Sequence, residues 1–186
     1  MKKNVIVTGA AGFIGSKIAS RLVDLDYKVF GIDDLSNGSE KNIPKKVDFL
    51  KFDLSNKKKL NSLPKNCKAI LHLAGQSSGE KSFESPQQDL KKNTLSTLNL
   101  LSYGVENNVE RIIYASSMSV YGDYNKKLKE NFNLNPLSCY GVSKLASENY
   151  LKLFSKKIPF VSLRMFNVYG PGQNLKDLKQ GMVSIY

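Results

Sequence analysis

Tyr140 and Lys144 stand four residues apart, a spacing that places both side chains on one face of a helix, one turn from each other. A free tyrosine with a pKa near ~10 is a poor base at neutral pH, but a neighbouring ammonium favours its phenolate. A phenolate held beside an alcohol can act as a general base. Because an isolated pair of this kind is usually a solvated helix surface, the assignment depends on the residues around it.

A serine at the end of a predicted strand supplies a third polar group. Ala115-Ser116-Ser117 closes that strand, and the Ser117 hydroxyl can reach the edge of the sheet that the pair occupies and position a substrate alcohol. Ser117, Tyr140 and Lys144 are therefore the candidate catalytic residues. A glycine turn, a strand-end serine and a downstream Tyr-x-x-x-Lys are hard to obtain in this order by accident.

The glycine turn follows the first predicted strand, in the segment Val5-Ile6-Val7-Thr8-Gly9-Ala10-Ala11-Gly12-Phe13-Ile14-Gly15. Gly9 permits the tight turn, Gly12 lets the backbone approach a pyrophosphate, and Gly15 lets the following helix pack against the strand. The N-terminus of that helix adds amide donors and a positive dipole. A strand, this turn and a patterned helix together predict a dinucleotide-binding site rather than a bare structural turn.

Two aspartates end the second predicted strand, Asp33 and Asp34, about 24 residues after the first glycine, where an acid accepts hydrogen bonds from the adenosine ribose. This favours NAD over NADP, because a 2′-phosphate beside Asp33 would meet like charge with no arginine adjacent to neutralise it. The alternative is that the two acids only begin a turn with Ser36-Asn37-Gly38.

Further candidate cofactor residues follow the third and fourth predicted strands. Asp53 and the segment Leu73-Ala74-Gly75 occupy the same carboxyl edge of the sheet, which is where ligands of doubly wound folds bind. The alternative for Leu73-Ala74-Gly75 is a strand that simply continues into a loop.

Six apolar, β-branched runs are predicted to be strands, and several are continuously apolar, as strands covered on both faces of a parallel sheet are. They are Val5–Val7, Val29–Ile32, Val47–Leu50, Ala69–Leu73, Arg111–Ala115 and Pro159–Leu163. One-sided helical stripes lie between them, formed by Ile14, Ile18, Leu22 and Leu25, by Leu90, Thr94, Leu95, Leu98 and Leu101, and, after an N-cap at Ser138, by Val142, Leu145, Ala146, Tyr150, Leu151 and Phe154. The alternation predicts an α/β fold, a Rossmann-type doubly wound parallel sheet with helices on both faces.

The composition fits one domain of ordinary size and argues against several classes of protein. The chain has 186 residues, 41% of them hydrophobic, and no apolar run approaches the ~18 residues of a membrane span. Its net charge is +12, but the lysines are scattered and not interleaved with aromatics, which argues against nucleic-acid binding. Cys67, Cys139 and the lone His72 show no metal-site spacing, and two cysteines without a disulfide framework indicate a reducing, cytoplasmic location.

The sequence is predicted to contain one large domain and the beginning of a second. Residues 1–165 are expected to form the dinucleotide-binding Rossmann domain with the Ser/Tyr/Lys set, and residues 166–186 to begin a substrate-binding lobe. A turn-rich link from Phe166 leads towards a helix start that is cut off at Ile185-Tyr186. We therefore expect most of that lobe to be missing from this sequence.

Taken together, six motifs resemble the NAD-dependent nucleotide-sugar epimerase/dehydratase branch of the extended short-chain dehydrogenase/reductase family, over essentially the whole chain. The motifs are Thr8–Gly15, Asp33–Gly38, His72–Gly75, Ser116–Gly122, Tyr140–Lys144 and Arg164–Gly170. The resemblance implies that NAD is contacted by Phe13, Ile14, Asp33, Asn37, Asp53, Leu54, Ala74, Asn93 and Lys144. It also implies that Ser117 and Tyr140 handle the sugar hydroxyl and that Asn167 binds the substrate diphosphate. By the same analogy a homodimer is expected, packed through helices around residues 84 to 106 and 138 to 155.

The family resemblance also bears on the reaction. Dehydratases of the family carry an acidic pair directly after the strand-end hydroxyl, where this chain has Met118-Ser119, and similar sugar-acid decarboxylases carry a glutamate at the position of Ser119. Reversible hydride transfer remains as the reaction. It favours a UDP-sugar 4-epimerase that resembles the UDP-glucose 4-epimerases, works through a transient 4-keto sugar and recycles NAD. The alternatives are a nucleotide-sugar dehydrogenase, reductase or dehydratase of this family, and a non-catalytic NAD-binding protein.

Overall fold

A computed structural model describes residues 2–173, and a six-stranded parallel sheet forms its centre. The strands are β1 (Asn4–Thr8), β2 (Lys28–Asp33), β3 (Asp48–Lys51), β4 (Ala69–His72), β5 (Ile112–Ser117) and β6 (Phe160–Met165). Their order across the sheet is β3-β2-β1-β4-β5-β6, so the chain reverses its direction of winding between β1 and β4. This order is that of a doubly wound nucleotide-binding sheet, and it confirms the fold predicted from the sequence.

Helices cover both faces of the sheet. They are α1 (Phe13–Asp24), α2 (Gly79–Glu84), α3 (Pro86–Leu90), α4 (Ser96–Glu106) and α5 (Cys139–Leu153), with short 3₁₀ turns at Glu40–Asn42, Lys57–Ser62 and Met118–Val120. On the α1 side the core contains Val5, Val7 and Val29, and on the α4 and α5 side it contains Ile6, Ile70 and Leu151. Successive residues of β1 therefore point into different cores, which explains why the strand is apolar without alternation.

A single π-helical turn, Lys91–Leu95, joins α3 to α4. A π-turn adds one residue to the helical turn, and such turns are frequent at functional sites. It changes the phase of the helix, so that the residues before and after it do not share one regular face. The feature cannot be recognised from the spacing of the apolar residues.

The predicted helical stripes are therefore only partly correct. Leu90 and Leu95 are exposed, while Thr94 and Leu101 from the same stripe are buried, because the π-turn Lys91–Leu95 interrupts the regular helical spacing that the stripe assumes. The buried face of this region is instead largely polar, with side chains of Asn93, Thr94, Ser96, Thr97 and Asn99. In the other two helices Leu25, Val142 and Tyr150 are exposed, and Leu25 lies just past the end of α1.

The carboxyl ends of all six strands lie at one edge of the sheet because the strands are parallel. β6 forms one border of the sheet, and its Val161 and Leu163 side chains are exposed. After β6 the described chain is irregular, and the predicted helix start beyond residue 173 lies outside the described residues. Within residues 2–173 we find no helix with the length and hydrophobicity that crossing a membrane requires.

Candidate active site

A cavity of about 730 Å³ opens at the carboxyl edge of the sheet. Nearly all the residues singled out in the sequence line it, namely Gly9, Gly12, Phe13, Ile14, Gly15, Asp33, Asp34, Asn37, Asp53, Leu54, Leu73, Ala74, Gly75, Ser117, Tyr140, Lys144 and Asn167. The exception is Asn93, which is 1% exposed and lies behind the cavity wall. The fold thus brings residues from the whole length of the chain to one side of the sheet.

The glycine turn forms one end of this cavity. Gly9 has a φ of 69°, in the left-handed region that favours glycine, and its carbonyl accepts a hydrogen bond from the Gly12 amide at 3.0 Å. A Cβ on Gly15 would lie only 2.0 Å from the Gly9 carbonyl oxygen, so helix α1 can begin this close to the turn only with glycine there. The free amides at the start of α1 consequently face the cavity, where a pyrophosphate can accept from them.

Asp33 lies beside this turn and is held by the backbone. One carboxylate oxygen accepts from the Ala11 amide at 3.0 Å and the other from the Leu35 amide at 2.8 Å. The first of these bonds ties the end of β2 to the glycine turn. A carboxylate fixed in this way can still accept from further donors, such as the hydroxyls of a ribose.

Lys92, in the π-turn, is a cavity residue that the sequence reasoning missed. Its ammonium forms ion pairs with Asp34 and with Asp53, the latter at 3.0 Å, and so it bridges the ends of β2 and β3. Burial raises the pKa of the Asp34 carboxyl, but hydrogen bonds from Lys92 and Ser36 outweigh this and leave the pKa below its usual value. No arginine is adjacent to Asp33 in the sequence, and the cation that the structure brings to the neighbouring Asp34 is a lysine from a segment distant along the chain.

Asn93, the next residue along the π-turn, supports the middle of the cavity from behind. A Cβ on Gly75 would lie 2.4 Å from the Asn93 Oδ1 atom and 3.6 Å from the Lys144 Nζ atom. The Asn93 amide nitrogen donates to Asp89, whereas its Oδ1 has no hydrogen-bond partner among the described residues. A buried acceptor without a donor, next to Lys144 and Gly75, is consistent with a place that a cofactor hydroxyl or a water completes.

The candidate catalytic pair, Tyr140 and Lys144, lies in the first turns of α5. Ser138 caps this helix, as predicted, by accepting from the Gly141 amide at 3.0 Å. Tyr140 and Lys144 are both buried, and the Lys144 ammonium donates to the carbonyl of Ala115 in β5 at 2.9 Å. It also lies 5.6 Å from the centre of the Tyr140 ring. The spacing of four residues thus produces the pairing that was expected of it.

Ser117 occupies the end of β5, opposite α5. Its hydroxyl lies 3.1 Å from the hydroxyl of Ser119 and accepts from the Ser119 amide. Burial raises the pKa of the Tyr140 phenol, and hydrogen bonding with Ser117 opposes that rise. Burial also lowers the pKa of Lys144 to about 8, so that its ammonium persists at neutral pH. Ionisation of the Tyr140 phenol would therefore require positive charge close to the ring, where the Lys144 ammonium lies.

A partly buried ion pair supports this arrangement. Arg164, at the end of β6, donates to both carboxylate oxygens of Glu148, with the shortest bond at 2.8 Å. Glu148, one turn beyond Lys144 on α5, also accepts from the Ser116 hydroxyl. The Arg164 guanidinium additionally donates to the Tyr121 hydroxyl at 3.1 Å. These bonds fix α5, β5 and β6 relative to one another.

The single histidine takes part in a buried hydrogen-bond chain. Thr8 Oγ1 accepts from the amides of Leu73 and Ala74, so its own proton must go to His72 Nδ1, 2.8 Å away. His72 Nε2, which then carries the ring proton, lies 3.0 Å from Thr97 Oγ1, and the Thr97 hydroxyl donates to the Asn93 carbonyl. Burial lowers the pKa of His72 to about 3, so the ring is neutral. The chain joins β1 and β4 to the π-turn.

Asn167 lies in the irregular segment after β6, exposed at the rim of the cavity. Met118 and Ser119, which directly follow the strand-end hydroxyl of Ser117, also line the cavity. Within the described part of the chain no three side chains of His, Cys, Asp or Glu are grouped to hold a metal ion.

Comparison with known proteins identifies relatives over nearly the whole sequence. The model of the NAD dependent epimerase/dehydratase family matches residues 5–185. A putative UDP-glucose 4-epimerase of Methanocaldococcus jannaschii is 38% identical, with the alignment covering 98% of this chain and 61% of that protein. The chain therefore spans about three fifths of the length of this relative.

Solved structures agree with the sequence match. A UDP-glucose 4-epimerase of Thermus thermophilus in complex with NAD superimposes with a TM-score of 0.90 at 35% identity, covering 98% of this chain and 60% of that one. A UDP-N-acetylglucosamine 4-epimerase of Methanobrevibacter ruminantium in complex with UDP-N-acetylmuramic acid gives 0.88 at 37% identity, with 97% and 60% covered. With the strand order and the glycine turn described above, these matches show that the chain belongs to the NAD dependent epimerase/dehydratase family.

Proposed function

We propose that this protein is an NAD-dependent nucleotide-sugar epimerase whose substrate is a UDP-sugar inverted at C4. The observation that carries the proposal is that Ser117, Tyr140 and Lys144 line the same cavity as the glycine turn. A dinucleotide bound along that turn and a sugar held by Ser117 would therefore share one enclosed space. The relatives named above as 4-epimerases, acting on UDP-glucose or UDP-N-acetylglucosamine, support the choice of reaction.

The residues present fit NAD along the length of the cavity. The close approach of Gly15 to Gly9 leaves room for a pyrophosphate over the start of α1, and the fixed Asp33 carboxylate suits a ribose. Lys144 and Asn93 Oδ1, which has no hydrogen-bond partner among the described residues, lie further along the cavity. When bound, NAD supplies the group that accepts a hydride from the sugar and returns it.

The protein side chains would handle the proton and the geometry. Tyr140, as phenolate, takes the proton of the C4 hydroxyl while a hydride leaves C4, and the sugar becomes a 4-ketose. Ser117 holds the same oxygen by a hydrogen bond, and Lys144 keeps Tyr140 ionised. If the ketose turns over before the hydride returns to its opposite face, Tyr140 gives the proton back and the product is the 4-epimer. No net oxidation occurs.

Met118 and Ser119 argue for epimerisation over dehydration. Elimination of water needs an acid and a base in addition to the tyrosine, and neither a thioether nor a neutral serine hydroxyl supplies them. Both residues line the cavity at the position where these groups would be required. A dehydratase of this family would therefore lack its elimination chemistry here.

Direct assay tests the proposal. Full-length protein is incubated in turn with UDP-glucose, UDP-N-acetylglucosamine and UDP-glucuronate, and the sugars are resolved by NMR. We expect one of them to reach a mixture with its 4-epimer without net NADH formation; no interconversion of any of them would refute the proposal. Net NADH formation or consumption would favour a dehydrogenase or reductase, and NAD binding without any sugar binding would favour a non-catalytic protein.

Tyr140→Phe is the accompanying variant. It should keep NAD binding and lose about 10²- to 10⁴-fold in turnover, the usual contribution of a general base. Tyr27→Phe is the matched control, since Tyr27 packs in the core on the α1 side, away from the cavity. Activity retained in Tyr140→Phe would remove Tyr140 from the base role.

We further propose that two copies of the chain pair through α3, the π-turn and α5. These segments pack beside one another and expose a series of large apolar side chains, Leu90, Leu95, Val142, Tyr150 and Leu153. Apolar surface of this kind on adjoining helices is typical of a protein–protein interface. Leu153→Glu should shift the sedimentation coefficient from dimer to monomer, whereas Leu25→Glu, an exposed leucine after α1, should not. A wild-type monomer would refute this proposal.

We also propose a cytoplasmic location, because the two cysteines, Cys67 and Cys139, stand as free thiols. Localisation of a tagged protein by cell fractionation tests this, and recovery from an oxidising compartment would contradict it.

A further inference from the structure

Lys92 lies at the adenosine end of the cavity. Among the described residues that line the cavity, the cationic side chains are Lys92 and Lys144, and Lys144 lies at the catalytic end beside Tyr140. Lys92 reaches the other end from the π-turn, where three carboxylates, those of Asp33, Asp34 and Asp53, lie at or just after the ends of β2 and β3. Of these two lysines it is therefore the one nearer to the place where Asp33 would hold a ribose.

The Lys92 ammonium is already engaged by two of these carboxylates. It pairs with Asp34 and with Asp53, and the three side chains are between 23% and 31% exposed. Asp34 also accepts from the amide and hydroxyl of Ser36, which holds its carboxylate facing the lysine. Since an ammonium has three donors, two are spent on protein carboxylates, and the charge of the lysine is largely balanced.

This arrangement matters for the choice between the two nicotinamide dinucleotides. A ribose held by Asp33 carries its 2′ oxygen at the end of β2, directly before Asp34. A 2′-phosphate there needs an available cation, because the carboxylates around it repel it. We propose that Lys92 determines the cofactor preference: bound to Asp34 and Asp53, it offsets their charge for NAD and is withheld from the 2′-phosphate of NADP.

The proposal makes Asp34 the controlling partner. Without the Asp34 charge, Lys92 would remain paired with Asp53 alone, and the N–H donor that Asp34 had engaged would become available to a phosphate. Without Lys92, three carboxylates would remain at this end with no lysine to offset them. The proposal rests on the NAD binding that the proposed function requires, but not on the identity of the sugar.

The test measures binding of NAD and of NADP by isothermal titration calorimetry, with no sugar present, so that a failed epimerase assay and a failed binding test are separate results. Lys92→Met should weaken NAD binding about 10-fold. Asp34→Asn should strengthen NADP binding at least about 10-fold while changing NAD binding much less, and the double variant should lose that gain. Lys91→Met is the matched control, because Lys91 is exposed on the same turn and carries the same charge.

Three results would overturn the proposal. NAD binding in Lys92→Met equal to that of the wild type would remove Lys92 from the cofactor site. A lack of any NADP gain in Asp34→Asn would show that the ion pair does not withhold the lysine. A gain that persists in the double variant would show that the added affinity comes from the lost Asp34 charge alone.

Discussion

Acidification should destabilise this protein through His72, which is the only histidine in the chain. Burial lowers its pKa from the ordinary 6.5 to about 3, and both ring nitrogens are already hydrogen bonded, with Nδ1 accepting from Thr8. A protonated ring could not accept that bond. The folded protein therefore excludes a proton that the unfolded chain takes up below pH 6.5. The His72 contribution to stability is fully present above pH 6.5 and is lost progressively as the pH falls towards about 3.

The magnitude follows from the difference between the two pKa values. Each pH unit below 6.5 costs about 1.4 kcal/mol while the folded state stays unprotonated. Between pH 7 and pH 5 the free energy of unfolding should therefore fall by about 2 kcal/mol. At pH 5 the loss of stability depends almost entirely on the His72 pKa in the unfolded chain, because the His72 pKa in the folded protein lies far below pH 5. Carboxylates titrate mostly below this window, so the histidine dominates it.

Urea unfolding followed by circular dichroism at pH 7, 6 and 5 measures this free energy. The comparison is with His72→Gln, which keeps a donor and an acceptor but cannot titrate. The wild type should lose about 2 kcal/mol between pH 7 and pH 5, with about one third of that loss per half pH unit near pH 5.5, and the variant should not lose it. Identical slopes in the two proteins would refute the reasoning. If the variant does not fold, NMR of the wild type decides instead: the single histidine signal should not titrate between about pH 8 and pH 4.5 in the folded protein.

Three further predictions concern the glycine turn, the ion pair beside the site and the buried Lys144. Gly15→Ala should abolish NAD binding and lower the melting temperature, since its Cβ would lie 2.0 Å from the Gly9 carbonyl oxygen; calorimetry measures both, and NAD binding at wild-type affinity would contradict it. Arg164→Met should cost about 3 kcal/mol in urea unfolding, because it leaves the Glu148 carboxylate buried with the Ser116 hydroxyl as a donor but without the opposite charge, and a loss below about 1 kcal/mol would show that the ion pair contributes no more than an exposed one. NAD affinity should fall as the pH rises through about 8, where burial places the Lys144 pKa, and a similar fall in Lys144→Met would assign it to another group.

The sheet could be predicted because its signals are local. Each strand is a short apolar run, and the glycine turn has its spacing and its place after the first strand within a few residues of each other. The edge at which the cofactor residues gather then follows from the parallel order alone. Ser138 was equally accessible to prediction, because a capping serine acts on an amide three residues away.

The features that escaped prediction depend on contacts between distant parts of the chain. Lys92 meets Asp34 and Asp53 only because the π-turn brings it to the ends of β2 and β3, and nothing near residue 92 indicates a π-turn. The buried face of α4 was missed for a related reason. From the sequence alone, polar side chains such as Thr97 and Asn99 are expected to face the solvent. Here they are buried, because each forms a hydrogen bond with a specific backbone carbonyl.

Deletion of one residue within the π-turn Lys91–Leu95 would affect the cavity more than the core. The wider turn takes up one residue more than an α-helical turn, so removing that residue would leave a regular α-helix through residues 86–106 with little rotation of the segments on either side. Leu100 and Leu101 would keep their places in the core, whereas the turn that brings Lys92 to Asp34 and Asp53 would be lost. The length of this turn is thus under the same constraint as the identity of its side chains.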